Sequence, residues 1–248
     1  MRKSDCISTS RCAIIIQARM CSQRFPGKML YNILDNMPLV RFVYERCRQS
    51  LVRKVLVATS EDKSDDVLYE YCINNKMPVI RGSLTDVLGR YIKAADFLNA
   101  EYLARIGGDT PFVDISLVVS FLNTLISEKL DYVSAKRETC ASGFYSETVT
   151  LKALKRAARS TRDKEDLEHV TRFIINNKER FLTKFTNAEL NPEFVRETRL
   201  TIDYPRDMET AGAIIDELRD RLSFTSKEVL DVVRKKGLRK CAESQVIK

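Results

Sequence analysis

The 248-residue chain contains no tryptophan, a single histidine (His169) and no CxxC pair. One imidazole leaves no Ser-His-Asp or Cys-His arrangement to be argued from the sequence. The seven cysteines are odd in number and scattered, which fits neither a disulfide framework nor a zinc site and points to reduced thiols in a cytoplasmic protein. No apolar run approaches the roughly 20 residues needed to span a bilayer, so no membrane insertion is expected. The opening MRKSDCISTSRC lacks the apolar core of a secretory signal, and residues 1–11 read as a polar lead. The standard glycine-rich phosphate loops are missing too: neither GxGxxG nor GxxxxGK followed by Ser or Thr occurs.

What is present is 44% hydrophobic and carries a formal net charge of +8, from 42 Lys and Arg against 34 Asp and Glu. That length and balance suit one substantial α/β domain, taken here as residues 12–240. A basic chain can serve nucleic acid, an anionic surface or a small phosphorylated ligand. The charges are mixed along the sequence. The one dense run, RKKGLRK at Arg234–Lys240, reads as a solvated helix end, and no nucleic-acid partner is expected.

Strand and helix patterns alternate through the first half. CAIIIQ (12–17), KVLVATS (54–60), MPVIRG (77–82), EYLARIGGD (101–109) and DYVSAK (131–136) read as strands, with amphipathic helices between them. Apolar strands alternating with helices imply a mostly parallel, Rossmann-like sheet buried on both faces. The pattern loosens after Lys136, and 137–190 reads as a sheet extension or lobe. EDLEHVTRFIINN reads as a helix, RFLTKFTN and TRLTID as strands. Pro205 suits the first turn of a following helix. A last helix is capped by Thr225 or Ser226 and ended by Gly237.

Open parallel sheets bind ligands beyond the carboxyl ends of their strands. The strand ends here are Gln17-Ala18-Arg19, Ala58-Thr59-Ser60, Arg81-Gly82-Ser83, Gly107-Gly108-Asp109 and, after RLTI, Asp203. The loop QARMCSQRFPGK offers Arg19, Arg24, Lys28 and the Ser22 hydroxyl, which match the needs of a triphosphate, though a solvated surface loop would look the same. Asp109 and Asp203 could share one Mg²⁺, a hard cation that takes oxygen ligands; they could also be a turn residue and a helix cap. A lone histidine on a helix, as His169 would be, is more often structural.

Together these segments resemble the cytidylyltransferase family, which includes CMP-acylneuraminate synthetases, CMP-Kdo synthetases and the spore coat polysaccharide biosynthesis protein F group. The resemblance is carried by IIQARMCSQRFPGK, VLVATSED, VIRGSLTDVLGRY, RIGGDTPFVD, EHVTRFI and RLTIDYPRDME, from about residue 12 to 215. It implies a nucleotide-diphospho-sugar transferase (GT-A-like) fold and a reaction in which CTP and a sugar give CMP-sugar and pyrophosphate. By the same resemblance Arg19, Ser22, Arg24 and Lys28 would hold the triphosphate. Gln17, Ala18, Thr59, Arg81, Ser83 and Gly108 would complete the CTP site. Asp109 and Asp203 would hold Mg²⁺ and, with Arg19 and Lys28, form the catalytic set. Gly143, Glu147 and His169 would face the sugar or a partner in a homodimer, within a lobe at 137–190. Three positions depart from the pattern: Cys21 stands where many relatives have Gly, Tyr145 where an acidic residue is frequent, and Arg172 where proline is. The alternatives are another nucleotidyltransferase or a glycosyltransferase on the same fold, which would usually show a D-x-D motif, or a non-catalytic basic binding protein.

Overall fold

A computed structural model describes residues 9–144, 146–188 and 198–238. Most of the polar lead, Tyr145 and the end of the basic run lie outside the described residues. The organising strand is β1 (Cys12–Gln17), whose Ile14, Ile15 and Ile16 are fully buried. Burying a side chain of that size stabilises by roughly 1.5–3 kcal/mol. Because successive strand residues point to opposite faces, Ala13 and Ile15 enter one hydrophobic cluster while Ile14 and Ile16 enter the other. β1 therefore needs cover on both faces and partners on both edges.

Its partners are β4 (Lys54–Ser60) and β6 (Tyr102–Gly107), both parallel to it. With β5 (Val79–Gly82), β7 (Tyr132–Ala135), β8 (Glu147–Thr150) and β9 (Thr183–Thr186) they form a seven-stranded sheet in the order β5-β4-β1-β6-β8-β7-β9. Only β8 runs antiparallel to its neighbours. A separate short hairpin pairs β2 (Asn32–Leu34) with β3 (Met37–Pro38). One face is covered by α1 (Leu39–Arg48), α2 (Asp66–Asn74), α4 (Ile115–Ser127), α8 (Pro205–Asp216) and α9 (Ser226–Lys236). The other is covered by α3 (Val87–Phe97), α5 (Leu151–Ser160) and α7 (Arg172–Asn176), with α6 (Lys164–Glu168) packed on α3. The sheet is the mostly parallel α/β architecture expected from the sequence. No helix among the described residues is long and apolar enough to cross a membrane.

Two local readings change. RLTI is not a strand of the sheet, because both edges of β6 are already taken by β1 and β8. Its alternating Leu200 and Ile202 are buried, but their amides pair with loop carbonyls, Leu200 N–H to Ser142 O at 2.9 Å and Ile202 N–H to Asp109 O at 2.9 Å. The segment read as a sheet extension or lobe supplies β8 and β9 to the main sheet and helices α5–α7. The helix expected over 165–177 breaks into α6 and α7 around Val170 (φ 44°), a rare backbone state for a β-branched residue. Val170 is buried in the second cluster, and Thr171 donates its hydroxyl to Glu147, so both sides of the break are anchored.

Candidate active site

The strand order reverses between β1 and β6, the place where an open α/β sheet leaves a crevice. Gln17 and Gly107 stand opposite each other there, and the Gly108 N–H donates to Gln17 O at 2.8 Å. A Cβ on Gly108 would lie 2.8 Å from the Met29 sulfur and 3.2 Å from Gln17 O, so glycine lets the end of β6 tuck against the loop that follows β1 without displacing Met29. Above these ends lies a cavity of about 820 Å³, walled by Gln17, Arg19, Cys21, Ser22, Gln23, Arg24, Lys28, Arg105, Asp109, Glu168 and Asp203, with Leu84 and Thr85 on the far side.

The charges in this cavity are paired. Lys28 is 6% exposed, and its Nζ donates to Asp109 Oδ2 at 2.7 Å and Ile202 O at 2.6 Å. Asp203 Oδ1 lies 4.0 Å from the same nitrogen. Arg24 donates to Asp203 at 2.5 Å and lies over the Tyr204 ring, 5.4 Å from its centroid, while Arg199 also pairs with Asp203. Arg19 pairs with Glu168 at 3.1 Å. The two aspartates, far apart in sequence, meet because Ile202 N–H bonds to Asp109 O. A buried ammonium needs such partners, and they hold one cation between two carboxylates. Among the described residues no group of three or more His, Cys, Asp or Glu side chains gathers as a metal site. Two carboxylates are the donor set of a hard divalent ion that completes its shell with water and phosphate oxygens.

Several residues expected at the site lie outside the cavity wall. The Thr59 hydroxyl is buried without a hydrogen-bond partner, and Ala18 is buried beneath the loop, its N–H on Ala58 O. Arg81 braces the turn after β4, donating Nε to Ser60 O at 2.7 Å and Nη2 to Asp62 O at 2.9 Å and pairing with Asp66 at 2.7 Å. The Ser83 hydroxyl accepts the Asp86 N–H at 3.0 Å, a turn contact; its neighbours Leu84 and Thr85 face the cavity instead. Gly143 (φ 105°) presses against the Leu200 backbone, where any Cβ would clash. His169 is exposed and lies 3.5 Å from Glu165, one turn back; the preceding Glu168 reaches the cavity. Cys21 lines the cavity and has no positive φ, so its difference from glycine carries no backbone strain.

Glu147 stands opposite Arg105 on the β6–β8 ladder, and the two pair at 2.6 Å. Glu147 also accepts the Tyr132 hydroxyl at 2.8 Å and the Thr171 hydroxyl at 3.0 Å, and Arg105 reaches Gln17 Oε1 at 3.2 Å. Burial pushes the Glu147 carboxyl up, but the Arg105 guanidinium and the two hydroxyls outweigh it and hold it below its ordinary value. Glu147 thus sits under the cavity rather than in it. Arg105 was missed in the sequence, although a cation inside an otherwise apolar strand, two residues before Gly107, was the available signal. Glu168 gave none, because its direction depends on the break at Val170.

A mostly parallel sheet with cations and carboxylates gathered at its switch point is an architecture of nucleotide-handling enzymes, and the chain is an enzyme of the nucleotidyltransferase class. Residues 13–238 match the cytidylyltransferase family, and the chain belongs to it. It is 31% identical to the spore coat polysaccharide biosynthesis protein SpsF of Bacillus subtilis, over 89% of this chain and 93% of that protein. A cytidylyltransferase from Leptospira borgpetersenii serovar Hardjo-bovis has the same fold, with TM-score 0.83, 27% identity and coverage of 92% of this chain and 96% of that one. A CMP:2-keto-3-deoxy-manno-octonic acid synthetase complexed with CTP shares the GT-A-like fold at TM-score 0.63 and 17% identity, covering 84% of this chain and 99% of that one.

Proposed function

We propose that the protein activates a sugar, a sugar acid or related surface-polysaccharide sugar, by transferring CMP from CTP and releasing pyrophosphate. The observation that carries this reading is the cluster of Lys28, Asp109 and Asp203 at the β1–β6 switch point of a cytidylyltransferase-family chain. The acceptor hydroxyl oxygen forms a bond to the α-phosphorus and gives up its proton to solvent, the bond from the α-phosphorus to the bridging oxygen breaks, and pyrophosphate leaves with those electrons. Little covalent work falls to the protein; its task is positioning and neutralising charge.

Arg19, Ser22, Arg24 and Lys28 hold the triphosphate. Lys28 and Arg24 pair with Asp109 and Asp203, and the phosphate oxygens of CTP offer those cations further partners. Asp109 and Asp203 are the residues that would hold Mg²⁺. That ion, when bound, supplies neutralisation of the phosphate charge. Gln17 and Gly108 set the floor of the CTP site, with Leu84 and Thr85 facing it; Thr59, Arg81 and Ser83 support it from behind. Arg105, backed by Glu147, and Glu168 are charged groups of the cavity wall that can meet the acceptor. A nucleotide donor and free cysteines suit the cytoplasm, and the family resemblance implies a homodimer.

The test is a thermal-shift and pyrophosphate-release screen of four nucleoside triphosphates against sugar acids and amino sugars. Stabilisation by CTP above ATP, GTP and UTP, with release only when Mg²⁺ and a suitable sugar are present, is expected. Equal response to all four would end the cytidylyl reading.

A further inference from the structure

Asp65 closes the 3₁₀ turn Lys63–Asp65 after β4 and is fully buried. Its Oδ1 accepts the Met20 N–H at 2.6 Å; its Oδ2 accepts the Ser60 N–H at 3.1 Å and the Ser60 hydroxyl. The partners are dipoles rather than a cation. A carboxylate sealed from water costs free energy unless donors solvate it, and here the donors come from the end of β4 and from the cation loop that lines the cavity.

The Met20 backbone is the hub of the cation loop. Its N–H is held by Asp65, and its C=O accepts both the Ser22 N–H and the Gly27 N–H, each at 2.9 Å. Those two amides lie at opposite ends of the turn that carries Arg24 and leads to Lys28. The N–H and the C=O belong to the two peptide groups that meet at the Met20 Cα, so holding the first restrains the second and, through it, both ends of the turn. Asp65 is itself braced, since Arg81 grips Ser60 O and Asp62 O in the same turn.

We propose that Asp65 is the positioning residue of the triphosphate loop: through the Met20 amide it keeps Arg19, Ser22, Arg24 and Lys28 arranged to receive phosphate oxygens. The inference rests on reading that loop as the triphosphate holder, and it explains why Arg81, off the cavity wall, matters to the same site. Removing the grip frees the loop without touching any residue that would meet the nucleotide.

The test compares inorganic triphosphate and cytidine as separate probes, by calorimetry or competition, on the wild type, Asp65→Asn and Asp65→Ala. Asp65→Asn keeps one oxygen for the Met20 amide and retains most of the effect. Triphosphate affinity is expected to fall about threefold in Asp65→Asn and about tenfold or more in Asp65→Ala, with cytidine affinity within about twofold throughout. If Asp65→Ala does not fold, the wild type and Asp65→Asn decide. Equal losses for both probes, or no loss of triphosphate binding, would overturn the proposal. A wild type that binds triphosphate without preferring CTP ends the cytidylyl reading and leaves this comparison intact; one that binds no triphosphate overturns both.

Discussion

β6 has β1 on one edge and β8 on the other, and the two edges treat charge differently. On the β1 edge the strands are parallel, and Arg19, Arg24, Lys28, Asp109 and Asp203 gather past their carboxyl ends in pairs that border open space. On the β8 edge the pairing is antiparallel, and Arg105 and Glu147 meet across the ladder, where Tyr132 and Thr171 complete the carboxylate's hydrogen bonds. Both edges hold cation–carboxylate pairs. The difference lies in the carboxylates. Those at the rim face the cavity beside their cations, which can exchange partners with a phosphate; Glu147 already has its hydrogen bonds, and its pair with Arg105, a residue that also borders the cavity, holds β6 and β8 in register.

The sharpest way to break this comparison is to remove the rim carboxylates. Asp109→Ala and Asp203→Ala should each lower turnover by a factor on the order of 10²–10³ or more while the fold survives, as checked by steady-state kinetics beside circular dichroism. Wild-type turnover in either variant would show that the rim carboxylates are not used. Next in size, Lys28→Met should cut kcat/KM for the triphosphate substrate by about 10²-fold, with the loss shared between CTP affinity and turnover.

The β8 edge should respond in stability instead. Glu147→Ala strands the Arg105 guanidinium, and denaturant unfolding at neutral pH should show a loss of about 3 kcal/mol. Because the folded Glu147 carboxyl titrates below its ordinary value, its stabilisation is present above the unfolded value and is lost as pH falls through the folded one. The gap between wild type and Glu147→Ala should therefore narrow below about pH 4.5, close to the unfolded carboxyl pKa. A constant gap down to pH 3 would mean that the charge of Glu147 contributes nothing. The smallest effect is expected at His169→Ala, within about 0.5 kcal/mol in stability and twofold in acceptor KM. A large rise in that KM would return the histidine to the sugar site.

The same contrast explains which features were legible in the sequence. The parallel half announces itself through local rules: apolar runs such as AIII, then glycine, cations or carboxylate at the strand ends, where turn chemistry alone does not demand them. Those rules pointed to Arg19, Arg24, Lys28 and Asp109, which line the cavity; Asp203 lines it too, but was reached through a strand reading of RLTI that the sheet does not bear out. They could not tell a residue that faces the cavity from one that braces it, so Arg81 and Ser83 read like Thr85. The antiparallel half depends on nonlocal choices. Nothing in SETVT says that β8 will insert between β6 and β7, and RLTI has a strand's alternation because one side of it is buried, not because it joins the sheet. Asp65 was invisible for a related reason: in EDKSDDV it looks like any acidic residue near a helix start, and its role comes from an amide 45 residues earlier.

Whether this rim transfers CMP intact is decided by phosphorus NMR of the wild-type protein with CTP, Mg²⁺ and an accepted sugar. The triphosphate resonances should give way to pyrophosphate and a single new phosphodiester resonance in equal amounts. Formation of CDP with inorganic phosphate, or of CMP with pyrophosphate and no sugar adduct, would show that it does not.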